Sequence, residues 1–228
     1  MPSSRFERAA RLAGFRSIAG LDEAGRGALF GPVFAGAVIL DPSRPIRGLD
    51  DSKALEPDRR AVLAERIRDR ALAWAVGAAD AFEIDFINIY QASRLAMCRA
   101  LEALSTRPDY LLIDALKLDV AIEQKPLIQG DARSFSIAAA SILAKVHRDQ
   151  ALREWDRVFP QYCLASNKGY GTPDHYSALD RLGPTSLHRF SFEPVRVAFS
   201  KSSRHDPPWT GYPLLRPVPE QRELFAGA

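Results

Sequence analysis

The sequence predicts an α/β fold, on two observations. Short apolar runs of strand length alternate with amphipathic stretches of helical period, and three of those runs lead toward an aspartate. Strand ends on one side of an α/β sheet converge on one crevice, so acids placed there meet. A chain of 228 residues, 46% hydrophobic and 26% charged, is long enough to bury a core in one domain, or one domain with an appendage.

The elements follow in order. The N-terminal MPSSRFERAARLAGF lacks the apolar core of a signal peptide, and Glu7 within a short amphipathic pattern makes it a leading helix. Strands at 17–22 and 33–40 flank a glycine-rich loop and read as an antiparallel hairpin. Leu49 to Lys53 is a polar loop. Glu56-Pro57 then opens a helix to Arg70, with Pro57 suited to its first turn. A third strand covers 72–79, and one amphipathic helix covers 83–104, with Ile84, Ile87, Ile89, Leu95, Met97, Leu101 and Leu104 toward the core. Tyr110 to Asp114 is a short strand ending in an acid. Pro126 to Gln129 is another, followed by Gly130-Asp131. Ser136 begins a long helix to about residue 155, whose Ala138-Ala139-Ala140-Ser141 allows close packing. Shorter helices cover 173–182 and 192–199. From Ser200 onward serine, proline and charge dominate, so 201–228 reads as a flexible tail behind a domain of residues 1–200.

Composition narrows the function. The net charge of +3 and pI near 9.0 lean weakly toward a nucleic-acid partner. Cys98 and Cys163, the two cysteines, suit a reducing compartment and give no disulfide framework. The longest apolar run, Ala28 to Leu40, is broken by Gly31, Pro32 and Gly36, so it is no membrane span. The chain reads as a cytoplasmic monomer.

The chemistry concentrates at Asp22-Glu23 and the adjoining Gly25-Arg26-Gly27. Neighbouring carboxylates raise each other's pKa and become favourable when a divalent cation lies between them. Bare backbone N–H groups and one guanidinium beside them suit a polyanion. Asp22, Glu23, Asp114 and Asp131 form an all-oxygen set that selects Mg²⁺ or Mn²⁺ over zinc. Four carboxylates can hold two ions about 4 Å apart, the arrangement that serves phosphodiester hydrolysis. A single aspartate after a strand more often caps a helix or forms a turn; the combination is what points to metal. One difficulty is that strand neighbours point to opposite faces, so Asp22 and Glu23 share an ion only if the chain curls at Glu23.

Other motifs are weaker. Gly25 to Gly31 misses the dinucleotide fingerprint, because its third glycine is late and a strand replaces the helix; no Walker lysine follows a glycine loop either. Lys168-Gly169-Tyr170-Gly171-Thr172 cannot wrap its own tyrosine, which favours an exposed ring for stacking on a sugar or base. Lys53 is placed to meet a phosphate or simply lies in a solvated loop. His147, His175, His188 and His205 show no ligand spacing.

Together these segments resemble the ribonuclease HII family. The matching pieces are GLDEAGRGALFGPVFAGAVIL, LDDSKAL, IDFINIYQASRLAM, YLLIDA, IQGDARSFSIAAASILAKVHRD and NKGYGTPDH, in family order across residues 17–198. The resemblance implies an RNase H-like fold, with a mixed central sheet flanked by helices and a helical C-terminal extension. It also implies metal-dependent cleavage of the RNA strand of RNA–DNA hybrids and at single ribonucleotides embedded in duplex DNA, leaving 5′-phosphate and 3′-OH ends. Carried over by position, Asp22, Glu23, Asp114 and Asp131 are the acids. Gly25, Arg26 and Gly27 grip the ribonucleotide 2′-OH and its phosphate, and Tyr170 packs on the sugar that follows. Ala115-Leu116-Lys117 stands where the family commonly has Gly-Asn or Gly-Lys, and Phe30 stands where it has a small residue. Ribonuclease HIII, the sister family with a separate N-terminal substrate-binding domain, fits less well, because about 16 residues precede the first strand and Tyr170 is in place. A resolvase or integrase-like nuclease would need no 2′-OH, and an inactive binding module would need no acids. In the tail, Gln221-Arg222-Glu223-Leu224-Phe225 resembles the peptide by which bacterial replication enzymes dock on the sliding clamp.

Overall fold

A computed structural model describes residues 2–201. The tail from residue 202, with the Gln221–Phe225 motif, lies outside the described residues. Five strands form one mixed sheet: β1 (Ile18–Ala24), β2 (Val33–Leu40), β3 (Ala71–Ala79), β4 (Tyr110–Asp114) and β5 (Glu123–Leu127), in the order β3-β2-β1-β4-β5. β1 pairs antiparallel with β2 from Ala19↔Ile39 to Ala24↔Phe34, as the hairpin reading expects, and parallel with β4 from Ile18↔Tyr110 to Leu21↔Ile113. β2 and β3 are antiparallel, β4 and β5 parallel.

Helices cover both faces. On one lies α3 (Ala81–Glu102), over the core of Ala19, Leu21, Ala35, Ala37, Leu111 and Ile113. On the other lie α2 (Pro57–Arg70), with Pro57 in its first turn, and α4 (Phe135–Val158). α1 (Arg5–Leu12) closes the N-terminal end of α4: buried Glu7 accepts from the Ser134 hydroxyl at 2.7 Å and the Ser136 N–H at 2.8 Å. The C-terminal extension comprises α5 (Leu164–Asn167), α6 (Pro173–Leu182) and α7 (Glu193–Lys201), packed around Phe30, Leu152, Tyr162 and Phe190. Among the described residues no helix is long and apolar enough to cross a membrane.

Three expectations are corrected. β5 begins three residues earlier than its apolar letters suggest; it is a polar edge strand, where solvent removes the alternation signal and Pro126 is tolerated, while Ile128 is 77% exposed. β1 does not curl at Glu23 but stays paired through Ala24. The helix of 83–104 is not one rod. At Asn88 the backbone leaves helical geometry (φ 67°, ψ 162°), and Arg99 bonds Glu83 at 2.7 Å. Sixteen residues of straight helix would separate that pair by roughly 24 Å, so the chain doubles back at Asn88.

The seat of α4 decides the rest. A Cβ on Gly20 of β1 would stand 2.1 Å from the Ser136 backbone carbon, and one on Gly36 of β2 would stand 2.3 Å from the Ala140 carbonyl oxygen. Helix backbone therefore rests on sheet backbone, a contact that admits no side chain. Gly36→Ala should cost about 3 kcal/mol or more, the upper range of overpacking, because both partners are backbone. Urea denaturation measures it; a loss under about 1 kcal/mol would show that α4 can lift at little cost.

Candidate active site

Strand parity sorts the acids. Gly20 faces α4, so Asp22 does as well, and Ser141 of α4 lies on that side, where it favours the charged form of the carboxyl against the other influences. Asp114, on the same parity as Leu112, ends β4 and accepts the Gly130 N–H at 2.6 Å. Asp131 follows in the loop after β5 and accepts the Ala132 N–H at 2.9 Å. Glu23 has the opposite strand parity, and its Oε1 turns to Arg26 Nη1 at 3.2 Å.

Their fields overlap all the same. Burial, then Glu23, Asp114 and Asp131, push the Asp22 carboxyl well above its ordinary value. Burial also raises Glu23, against the pull of Arg26. Asp131 is raised by burial and by Asp51, with Asp114 adding to it. Lys53 answers this cluster: partial burial alone would lower its pKa, but Asp22, Asp51, Asp131 and Asp114 together raise it. The structure thus brings Asp22, Glu23, Asp114, Asp131 and Lys53 to the C-terminal edge of the sheet. The carboxylates are turned to local donors, and among the described residues no three His, Cys, Asp or Glu side chains already stand placed to hold an ion. Glu23 Oε2 is nevertheless buried with no partner. An acceptor of that kind, beside three mutually repelling carboxylates, fits a hard cation.

A groove of about 570 Å³ runs beside this edge, lined by Glu23, Arg26, Lys53, Arg60, Lys145 and Tyr170. Gly25, the first residue after β1, turns the chain at φ +96°, and a Cβ there would lie 2.0 Å from Arg148 Nε. Only glycine satisfies both demands. Arg148 is fully buried; its Nη1 donates to the Lys168 carbonyl at 2.8 Å, and its guanidinium lies 5.3 Å from the Tyr170 ring centre. Arg189, also fully buried, donates to the Gly31 carbonyl at 2.9 Å and the Arg26 carbonyl at 2.8 Å. Burial, then the charge of Arg148, brings its pKa down to about 9. Tyr170 is 38% exposed beside Gly27, as the Gly-Tyr-Gly reading expects.

Behind Tyr170 lies a neutral relay. The Thr185 N–H donates to His188 Nδ1 at 2.9 Å, which leaves the proton on His188 Nε2 to meet His175 Nε2 at 3.1 Å; His175 Nδ1 then donates to the Tyr170 carbonyl at 2.9 Å. Burial holds His188 down to about 3. Sequence reasoning missed Ser141, Arg148 and Arg189, which carry no local motif and become visible only when separate segments are packed together.

A mixed sheet of this order, with acids on its carboxyl edge, is the ribonuclease H type of fold. Ribonuclease H2 from Pyrococcus horikoshii OT3 superposes with a TM-score of 0.72 at 24% identity, covering 82% of this chain and 98% of that one. Ribonuclease HIII, crystallised as Bst-RNase HIII in complex with Mn²⁺, superposes with a TM-score of 0.62 at 18% identity, covering 86% and 73%. The family model for ribonuclease HII matches residues 19–195. Ribonuclease HII of Solibacter usitatus is 62% identical over 200 residues, 88% of each chain; that of Geobacillus kaustophilus is 50% identical over 200 residues, 88% of this chain and 77% of its own. The chain belongs to the ribonuclease HII family, and it is a ribonuclease H, a hydrolase that cuts RNA within RNA–DNA hybrids.

The raised Asp22 pKa carries a stability cost with a definite sign. The folded state holds that proton more tightly than the unfolded one, so stability falls as pH rises from 3.8 through the folded value. In chelator, the Asp22→Asn variant should therefore be more stable than the parent at pH near 7, and the gap should close as pH approaches 4. His188 is common to both proteins and cancels in the difference. Urea melts at the two pH values measure it; a variant less stable at both would contradict the crowding.

Proposed function

We propose that this chain is a metal-dependent endonuclease that cuts RNA–DNA hybrids and single ribonucleotides embedded in duplex DNA, leaving 5′-phosphate and 3′-OH ends. The observation that carries the reading is the meeting of Asp22, Asp114 and Asp131 from separate segments, with Glu23, at one sheet edge beside a cationic groove. Asp22, Glu23, Asp114 and Asp131 would hold Mg²⁺ or Mn²⁺, which supplies the Lewis acidity for in-line attack and for the leaving oxygen. The residues around them bind and orient. Gly25, Arg26 and Gly27 offer backbone groups and a guanidinium to the ribonucleotide and its phosphate, and Lys53 meets a phosphate of the same strand. Tyr170, with one face backed by Arg148, presents the other to the sugar beyond the ribonucleotide.

The enzyme acts in this reading as a cytoplasmic monomer on ribonucleotides misincorporated into DNA. Residues 1–200 do the chemistry, and residues 201–228 tether them. The Gln221-x-x-Leu224-Phe225 motif supports docking on a sliding clamp, with Leu224 and Phe225 in an apolar pocket and the proline-rich stretch as spacer. A fold neighbour from Archaeoglobus fulgidus, TM-score 0.64 at 22% identity, was solved as a PCNA:RNase HII complex, which lends the idea further support.

Two expectations test the reading. A duplex carrying one ribonucleotide should be cut with Mg²⁺ or Mn²⁺ and left intact with EDTA, and Asp22→Asn, Asp114→Asn or Asp131→Asn should abolish cutting while duplex binding persists. Near-parental turnover by the Asp22 variant at saturating Mg²⁺ would sink the acid assignment. Calorimetric titration of purified clamp should show binding by the full chain, and none after truncation at Pro219 or with Leu224→Ala/Phe225→Ala. Equal binding by all three would remove the motif.

A further inference from the structure

The groove lies on the α4 side of the sheet edge, and the α3 side carries a second feature that the cutting chemistry leaves unused. Where α3 breaks, Asn88 Oδ1 accepts the Tyr90 N–H at 3.0 Å and the Gln91 N–H at 3.1 Å, so it caps the second helical segment. Phe86 and Tyr90 flank this turn, 63% and 45% exposed. One turn further on, Arg94 sets its guanidinium 6.0 Å from the Tyr90 ring centre, and donates to the Lys117 carbonyl at 3.0 Å and to Gln91 Oε1 at 2.9 Å. Both acceptors are neutral, so the charge of Arg94 stays available, and exposed Lys117 adds a second cation. Of the nearby acids, Asp85 is occupied by the Phe190 and Ser191 N–H groups and the Ser191 hydroxyl, and Asp119 is exposed two residues beyond Lys117.

Two tethers tie this stripe to the acids. Lys117 comes three residues after Asp114. Asp85 holds Ser191, two residues from Arg189, which in turn holds the Arg26 carbonyl. These links hold the stripe, carried by α3 and the segment after β4, close to the acid edge on the α3 side.

We propose that Phe86, Tyr90, Arg94 and Lys117 form a second nucleic-acid contact, which holds the uncut strand of the duplex while the acid edge acts on the other. This rests on the nuclease reading and names the part of the substrate that reading leaves unassigned. The two backbones of a duplex flank a minor groove about 6 Å wide in B-form and wider in A-form, so one on each side of a sheet edge suits the geometry. A paired strand offers its sugar edges to aromatic rings and its phosphates to guanidinium and ammonium groups.

The experiment is fluorescence-anisotropy binding, in EDTA, of a short duplex with one embedded ribonucleotide and, separately, of its cut strand alone. The proteins are wild type, Phe86→Ala/Tyr90→Ala, and Lys117→Glu, each checked by thermal melting. The Phe86→Ala/Tyr90→Ala variant should bind the duplex about tenfold more weakly than wild type. Lys117→Glu should lower the salt slope of duplex binding by about one. Binding of the single strand should be unchanged in both. Lys117 is exposed, so its variant keeps the test open should the double variant fail to fold. Folded variants that bind the duplex like wild type, or that lose the single strand equally, would overturn the proposal. Failure of the nuclease reading would appear elsewhere, as wild type that leaves the duplex uncut with Mg²⁺ and Mn²⁺.

Discussion

Everything in the site depends on the contact of α4 backbone with sheet backbone at Gly20 and Gly36. Once Ser136 and Ala140 rest there, helical periodicity fixes where the next turns point. Ser141 falls over Asp22, and Lys145 and Arg148 fall over the groove and under the glycine turn. A helix of 24 residues is roughly 36 Å long, well beyond any strand of this sheet, so its far end leaves the sheet altogether. There Leu152 and Trp155 enter the core of the C-terminal extension. One helix thus sets the acids, the cations of the groove and the tyrosine loop in a single register.

The electrostatics of the edge are unfavourable in two opposite ways. Carboxylates crowd on one side, and burial together with mutual repulsion raises Asp22 and Asp131. Two guanidinium groups lie buried on the other, each lowered by burial, with Arg148 Nε and Nη2 and Arg189 Nη2 lacking acceptors. Adjacent burial of opposite charges ordinarily ends in ion pairs. Here the backbone turn Gly25–Gly27 and the Lys168–Tyr170 loop lie over the guanidinium groups, which direct their hydrogen bonds to the carbonyls of Arg26, Gly31 and Lys168. The two sets thus remain unpaired with each other, acceptors gathered at the sheet edge and donors beneath the glycine turn.

Much of this was legible in the letters, and what was not has physical causes. Pro57 marked the start of α2, the alanine run of α4 marked a close contact, the hairpin paired as read, and Asp114 ended its strand, while Asp22 lies two residues short of the end of β1. β5 hid because an edge strand needs no apolar alternation, and the reversal at Asn88 hid because both half-helices keep an apolar face of the same period. The expected curl at Glu23 was the local answer to a problem the fold solves otherwise: the strand stays straight and the carboxylates couple through space. Arg148 and Arg189 were silent; Arg148, for one, within the polar His147-Arg148-Asp149, reads as surface until Gly25 is laid on top of it.

The two departures from the family pattern resolve differently. Phe30 does not shape the groove; it is fully buried, meeting Trp155, Phe159 and His188 edge-on, and so anchors the glycine loop in the C-terminal extension. Its bulk is accommodated because the residue faces away from the acids. Ala115 carries a real conformational penalty: at φ 49° it occupies the left-handed region, which glycine enters freely and alanine enters at a cost of roughly 1 kcal/mol. The turn is held all the same, since the Ala115 N–H donates to the Leu127 carbonyl at 3.0 Å and Leu116 is buried against the α3-side core. Burial of one leucine offsets strain of that size. The side chain of Leu116 therefore does by packing what glycine does by conformational freedom, and Asp114 keeps its place above the Gly130 N–H.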